Sequence, residues 1–164
     1  MLKKATVEVR LKDGSLIRIR NVKLEDLEQV YDIERASFKD PYPPDLLRTL
    51  ALFHNDTFLV AVYGDKVVGY VIGAIRWDVI GHILNIAVHP DYRRRGIGSI
   101  LMKEIMKRLK EKGARIYRLE VRVSNTPAQH LYERLGFRKA YVIKGYYNDG
   151  EDCYVMLKEE DEKT

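Results

Sequence analysis

The run Arg93-Arg94-Arg95-Gly96-Ile97-Gly98 carries residue types that can seat a pyrophosphate. It follows an apolar, strand-like stretch, Leu84-Asn85-Ile86-Ala87-Val88-His89, which stops at Pro90. A helix-patterned segment opens at Ile97. Glycine tolerates positive φ and has no Cβ, so backbone N–H groups near Gly96 and Gly98 can converge on one point. The helix N-terminus adds partial positive charge at that point, and Arg93, Arg94 and Arg95 add more. An ordinary strand-to-helix turn with surface arginines has the same local composition, so the hexapeptide needs its surroundings to be read.

Two common phosphate-binding motifs do not fit. A nucleotide P-loop requires Gly, four residues, then Gly-Lys-Ser/Thr, and no such run exists here. The dinucleotide fingerprint requires a third small residue, but Leu101 stands at that position, and no repeated βαβ units surround it. Of the 29 Lys and Arg, eleven lie between Arg93 and Arg122 against three Asp and Glu, within a chain whose net charge is +5. Such a patch could bind nucleic acid, steer an anionic cofactor, or be solvated helix surface. No aromatic platform of the kind that stacks single strands is interleaved with it, so nucleic acid is not the expected partner.

A chain of 164 residues, 46% hydrophobic and 32% charged, reads as one globular domain with a heavily charged surface. Cys153 is the single cysteine, which excludes an intramolecular disulfide and fits a reducing compartment. No apolar run approaches the roughly 20 residues that span a bilayer. The first residues, Met1-Leu2-Lys3-Lys4-Ala5, lack the apolar core of a signal peptide. The expected location is the cytoplasm, with no membrane partner.

The elements that must position the glycine turn follow from periodicity. Val7–Leu11 and Leu16–Arg20 alternate around Lys12-Asp13-Gly14-Ser15 and read as a hairpin. Leu24–Phe38 has helical spacing, Asp40-Pro41-Tyr42-Pro43-Pro44 breaks it, and Pro44–Phe53 reads as a second helix. Strands are expected at Phe58–Tyr63, Lys66–Trp77 and Gly81–Val88. Ile97, Leu101, Ile105 and Leu109 make the stripe of a helix to Lys112, which Gly113 ends. A strand at Ile116–Val123, a helix at Thr126–Leu135, and strands at Arg138–Ile143 and Asp152–Lys158 complete the series. Residues Glu159 to Thr164 read as a frayed acidic tail beyond a core of about Ile17 to Lys158. The order ββααβββαβαββ argues an α+β (mixed α/β) fold with helices covering one sheet.

The Arg-x-x-Gly-x-Gly turn between strand and helix resembles the acyl-CoA pyrophosphate loop of the GNAT acetyltransferase superfamily. Leu119-Glu120-Val121-Arg122, Ser124-Asn125, Ala128, Leu131-Tyr132 and Leu135-Gly136-Phe137 resemble the segment after that loop in N-terminal protein acetyltransferases. Gly145-Tyr146-Tyr147-Asn148-Asp149-Gly150-Glu151-Asp152-Cys153-Tyr154-Val155-Met156 is similar to their closing hairpin, which archaeal N-terminal acetyltransferases and bacterial ribosomal-protein alanine acetyltransferases share. Gly81-His82 looks like the archaeal branch. The resemblance implies a mostly antiparallel mixed sheet of about seven strands with four helices. The hairpin strand at Val7–Leu11 would be an addition. The implied activity is transfer of acetyl from acetyl-CoA to the α-amino group of a protein or peptide, with the ribosome or a ribosomal protein as a possible partner. A monomer or weak dimer is expected. A GNAT enzyme for lysine or a small amine, and an acyl-CoA-binding regulator without turnover, stay open beside it.

The resemblance also implies roles. Glu120, on a strand between apolar Leu119 and Val121, is the first choice as general base, and burial would raise its pKa. His82, acting directly or through water, is the second. Tyr132 would stand near the departing thiolate and donate to it. Arg93 to Ser99, including Ile97, would hold the pyrophosphate. Ile86, Ala87 and Val88, with Asn125 and Ala128, would line the pantetheine arm. Phe38, Asp40 and Tyr42 between the first two helices, and Tyr146 and Tyr147 in the hairpin, would face the peptide. Related enzymes often read Pro-Glu-Asn-Tyr where this chain reads Lys39-Asp40-Pro41-Tyr42, which leaves the preferred first residue open. His82 and Glu120 alone are too few to fix a metal, and none is expected.

Overall fold

The computed structural model describes residues 6–161. Among the described residues, eight strands form one sheet in the order β1-β2-β3-β4-β5-β6-β8-β7. In chain order these are β1 (Val7–Arg10), β2 (Leu16–Asn21), β3 (Phe58–Tyr63), β4 (Lys66–Arg76), β5 (Ile80–Val88), β6 (Ile116–Arg122), β7 (Arg138–Ile143) and β8 (Cys153–Glu159). The helices are α1 (Leu27–Ser37), α2 (Pro44–Phe53), α3 (Ile97–Glu111) and α4 (Thr126–Arg134). Every described pairing is antiparallel except β5 with β6. The expected mixed sheet and its extra N-terminal hairpin are therefore present, with β1 on the outer edge.

The sheet has a core on each face. One core gathers Val30 and Ile33 of α1 with Leu47 and Ala51 of α2 over Phe58, Val60, Tyr70 and Ile72. The other gathers the α3 stripe Ile97, Leu101, Ile105 and Leu109, with Tyr132 and Phe137, over Leu59, Val71, Leu119 and Met156. β4 lies between the two layers and is buried from Val67 to Ala74, which is why it reads as an unbroken apolar run. α3 sits so close that a Cβ on Gly73 would come within 3.0 Å of Ile105 and 3.1 Å of Leu109. Glycine there sets the depth at which α3, and the turn before it, can seat.

Two expectations shift at the ends. The first helix opens with a 3-10 turn at Leu24–Asp26, whose Asp26 carboxylate accepts from the Lys23 amide at 2.7 Å and from Arg20 at 2.8 and 3.0 Å. The expected frayed tail is corrected in its first part. Glu159 is the last residue of β8. Glu160 donates its amide to the Arg115 carbonyl at 3.0 Å, accepts from the Tyr117 hydroxyl and pairs with Lys110 at 3.2 Å. A carboxylate that caps a buried tyrosine is held in place, not frayed. Residues 162–164 lie outside the described residues.

Candidate active site

β5 and β6 are partners only from Ile80 to His82 and from Ile116 to Arg118. Beyond that they part, because β5 keeps its ladder to β4 as far as Val88 while β6 keeps its ladder to β8 as far as Arg122. A register shift between Ile72 and Gly73 of β4, opposite Ile83 and Asn85, bends the sheet at the fork. The opening is a cleft of about 630 Å³. Its walls are Ile83–Ile86 of β5 and Leu119–Arg122 of β6. Asn125, Ala128 and Tyr132, with Phe38–Asp40, Tyr42 and Tyr146–Asn148, complete its lining.

At the fork stands a three-residue polar chain. His82 Nε2 lies 2.9 Å from Glu120 Oε1, and Arg118 Nε donates to Glu120 Oε2 at 2.6 Å. The side chains of His82 and Glu120 are 14% and 9% exposed. Burial pushes the Glu120 carboxyl up, but the hydrogen bonds from His82 and Arg118 and the positive charge beside it outweigh burial and leave it below its ordinary value. The expectation of a raised pKa is thereby corrected: Glu120 is held ionised. His82 Nδ1 is buried and has no partner among the described residues. A proton there would find no acceptor, so we assign the ring hydrogen to Nε2, donated to Glu120.

Tyr132 enters the same cleft from α4 with its ring edge-on to Phe137 at 6.2 Å. Burial pushes its phenol up to about 12, so at neutral pH it is a proton-bearing donor. Asn125 caps α4, its Oδ1 accepting from the Ala128 amide at 3.2 Å. Ile86 lines the cleft, whereas the Ala87 side chain is buried in the α1/α2 core. The Val88 carbonyl accepts from Arg93 Nε at 2.8 Å.

Of the two glycines in the turn, only Gly96 has positive φ. Gly96 is the N-cap of α3 with φ +92°, and Arg94 also has positive φ. A Cβ on Gly96 would meet nothing within 4 Å, so the backbone, not packing, requires glycine there. Among the described residues, none of the amides from 94 to 99 donates to a backbone carbonyl. Arg93 is drawn back onto Ser37 at 3.0 Å, and Arg95 stacks over Tyr92 at 5.1 Å. A run of unspent N–H groups at a helix N-terminus, open to solvent and rich in arginine, fits a pyrophosphate.

Two flaps, the loop between α1 and α2 and the hairpin between β7 and β8, complete the cleft lining. The Tyr42 amide donates to Glu34 Oε2 at 2.8 Å and its hydroxyl to the Leu84 carbonyl at 3.3 Å. Burial first, and the nearby Glu34 charge second, push the Tyr42 phenol up to about 12. Tyr146 and Tyr147 meet edge to face at 5.0 Å. Phe38 lines the cleft while also packing on the α1/α2 core. Asp40 is exposed and pairs with Arg122 at 3.3 Å.

Four residues of this site were not singled out from the sequence: Glu34, Asn85, Arg118 and Arg122. Glu34 is 1% exposed and accepts from Asn85 at 2.7 Å and from the Tyr70 hydroxyl. Its signal was present, since a carboxylate at Leu27+7 and Val30+4 stands on the apolar stripe of α1. Arg118, two positions before Glu120 on one strand, shares its face and can pair with it, whereas no local signal ties Arg122 to Asp40.

The family model described as "Acetyltransferase (GNAT) family" matches residues 27–137. The N-alpha-acetyltransferase of Sulfurisphaera tokodaii is 39% identical over 158 residues, covering 88% of this chain and 94% of the relative. The [ribosomal protein bS18]-alanine N-acetyltransferase of Escherichia coli strain K12 is 33% identical over 143 residues, covering 84% and 94%. The crystal structure of Ard1 from Thermoplasma volcanium superimposes with a TM-score of 0.85 at 31% identity, covering 89% of this chain and 99% of that one.

Proposed function

The chain belongs to the acetyltransferase (GNAT) family, and on that premise we propose that it moves the acetyl group of acetyl-CoA to the α-amino group of a protein or peptide N-terminus. The observation that carries this reading is the ionised Glu120, fixed between His82 and Arg118 on the wall of a cleft that two tyrosine-bearing flaps also line. The 39% identity to the N-alpha-acetyltransferase of Sulfurisphaera tokodaii supports the α-amino acceptor.

The glycine turn and the cleft fit acetyl-CoA. The amides of Arg94 to Ser99 would hold the pyrophosphate, and Ile86, Asn125, Ala128 and Tyr132 the arm. When bound, acetyl-CoA supplies an electrophilic thioester carbonyl and a thiolate leaving group. The residues do the rest. Past His82, the β5 edge that faces β6 has no strand partner, so its N–H groups are free to donate to developing negative charge on the carbonyl oxygen. Tyr132, protonated at neutral pH, donates to the departing sulfur.

Glu120 receives the amine. An α-amino group has a reference pKa of about 7.7–8.0, while Glu120 lies below its ordinary 4.5. Handing the ammonium proton directly to Glu120 would therefore be uphill. Glu120 serves instead as an acceptor that orients the neutral amine, which near pH 7.5 is already a sizeable fraction of the total, while the proton leaves by water. His82 holds the carboxylate in place through Nε2–H. The test is a pH–rate series with peptides whose α-amino pKa values differ. The rise in kcat/KM should track the pKa of the peptide amine. A rise at a fixed pH, independent of the peptide, would assign the limb to an enzyme base and overturn this division of labour.

A further inference from the structure

The two acceptor flaps are far apart in sequence, yet both end on one guanidinium. Arg122, at the end of β6 and 14% exposed, sends Nη2 to Asp40 Oδ2 at 3.3 Å on the flap between α1 and α2. Its Nη1 reaches Asp149 at 3.0 and 3.1 Å and Glu151 at 2.7 Å in the closing hairpin. The plane lies 4.0 Å from the centre of the Tyr147 ring. We propose that Arg122 is a positioning residue that couples the two flaps, so that the tyrosines of one cannot be placed for an acceptor chain while the other is loose. This rests on the reading that the flaps receive the peptide.

The geometry favours coupling over simple surface pairing. An exposed ion pair contributes little because its partners pay side-chain entropy and are solvated. Here the fork of Arg122 is largely buried, its backbone is held by Gln129, whose Nε2 donates to the carbonyls of Arg122 and Val123 at 3.0 Å each, and a ring covers its face. Both donor nitrogens are used at once, on different flaps. The planar fork sets its two nitrogens on different flaps in one fixed geometry; a lysine ammonium is a compact point charge without that fork and would hold neither flap firmly. Glu151 strengthens the hairpin side, since its second oxygen accepts from the Ser124 amide at 3.0 Å. Lys39 also reaches Asp149, at 3.6 Å, but is 70% exposed.

The coupling is measurable without catalysis. Amide hydrogen exchange in residues 144–150 should quicken in Asp40→Asn, and exchange in residues 38–42 should quicken in Asp149→Asn, each change crossing to the flap not substituted. Arg122→Lys should loosen both. Lys39→Ala should loosen neither. In kinetics, the acceptor-peptide KM should rise about 2- to 5-fold in each Asp variant, and the double variant should fall short of the product of the two, because both act through one partner. The KM for acetyl-CoA and the melting temperature should stay near wild type in Asp40→Asn and Asp149→Asn, which separates positioning from general damage. Exchange that quickens only in the substituted flap, or peptide KM effects that multiply, would overturn the proposal. A wild-type protein that acetylates no free N-terminus would refute the functional reading instead, and the exchange experiment would still decide the coupling.

Discussion

Glu34 allows a prediction whose size can be worked from the contacts. Its carboxylate holds three donors: the Tyr42 amide, the Asn85 side chain and the hydroxyl of Tyr70, which is fully buried. Glu34→Leu keeps the volume and removes every acceptor. The Tyr70 hydroxyl would then be orphaned at a cost of about 1–3 kcal/mol, and the two donors at the cleft wall would lose about 0.5–1.5 kcal/mol each. Against this stands relief of a buried carboxylate, since burial outweighs those hydrogen bonds and raises the Glu34 pKa. The net loss should be about 2 kcal/mol, and at about 2–4 °C per kcal/mol for a chain of this size the midpoint should fall by about 4–8 °C. The sign of the pH dependence follows from the raised pKa. Stability linked to Glu34 is fully present below its unfolded pKa and is lost as pH rises through the folded one. The wild-type advantage should therefore be largest in acid and shrink with rising pH. Glu34→Gln is the sharper probe of function. Its one oxygen can keep Tyr70 and Asn85 while its NH2 faces the Tyr42 amide, so the flap alone loses its anchor. Peptide KM should rise about threefold or more with acetyl-CoA KM unchanged. Thermal unfolding by circular dichroism and steady-state kinetics read both. A Glu34→Leu protein that melts with wild type throughout the pH range, or a Glu34→Gln protein whose two KM values rise together, would refute this reasoning.

Other expectations follow from the same contacts. Glu120→Gln should lower kcat about 100-fold, on the order of what misplacing a reacting group costs, while acetyl-CoA binding by calorimetry is retained. Gly96→Ala forces a φ of +92° on a residue with a Cβ and should weaken acetyl-CoA binding with little change in peptide KM, as binding isotherms would show. Asp26 is held below its ordinary pKa, because hydrogen bonds from Arg20 and the Lys23 amide overcome its burial. Its stabilisation is present above the unfolded pKa and is lost as pH falls through the folded one. Asp26→Asn should be less stable than wild type at pH 7, with the gap closing below about pH 4.

Much of this fold is written in local pattern. Pro44–Phe53 and Phe58–Tyr63 begin and end where proline, apolar periodicity and turn residues say they should. The four-residue stripe of α3 and the glycine turn before it are legible because a helix N-terminus needs a residue that tolerates positive φ. What the sequence hides is long-range. The partial parallel pairing of β5 and β6 brings His82 to Glu120, and that contact, with Arg118 two positions away on the same strand, reverses the expected direction of the Glu120 pKa. Arg122 meets Asp40 across 82 positions of chain, which no window reveals. Glu160 looked like tail because its partner, Tyr117, lies 43 positions away. Glu34 is the intermediate case: its place on an apolar helix face was visible, but the donors that satisfy it come from β4, β5 and the following loop.

The central claim is that a free α-amine is the acceptor. Purified protein, acetyl-CoA and peptides beginning Ser, Ala, Met-Leu and Met-Glu should be incubated beside an N-blocked peptide with an internal lysine, and the acetylated atom located by mass spectrometry. Acetylation confined to free N-termini, lost in the blocked peptide, is the predicted result. Acetylation of the internal lysine in the blocked peptide, or of no peptide at all, would contradict it.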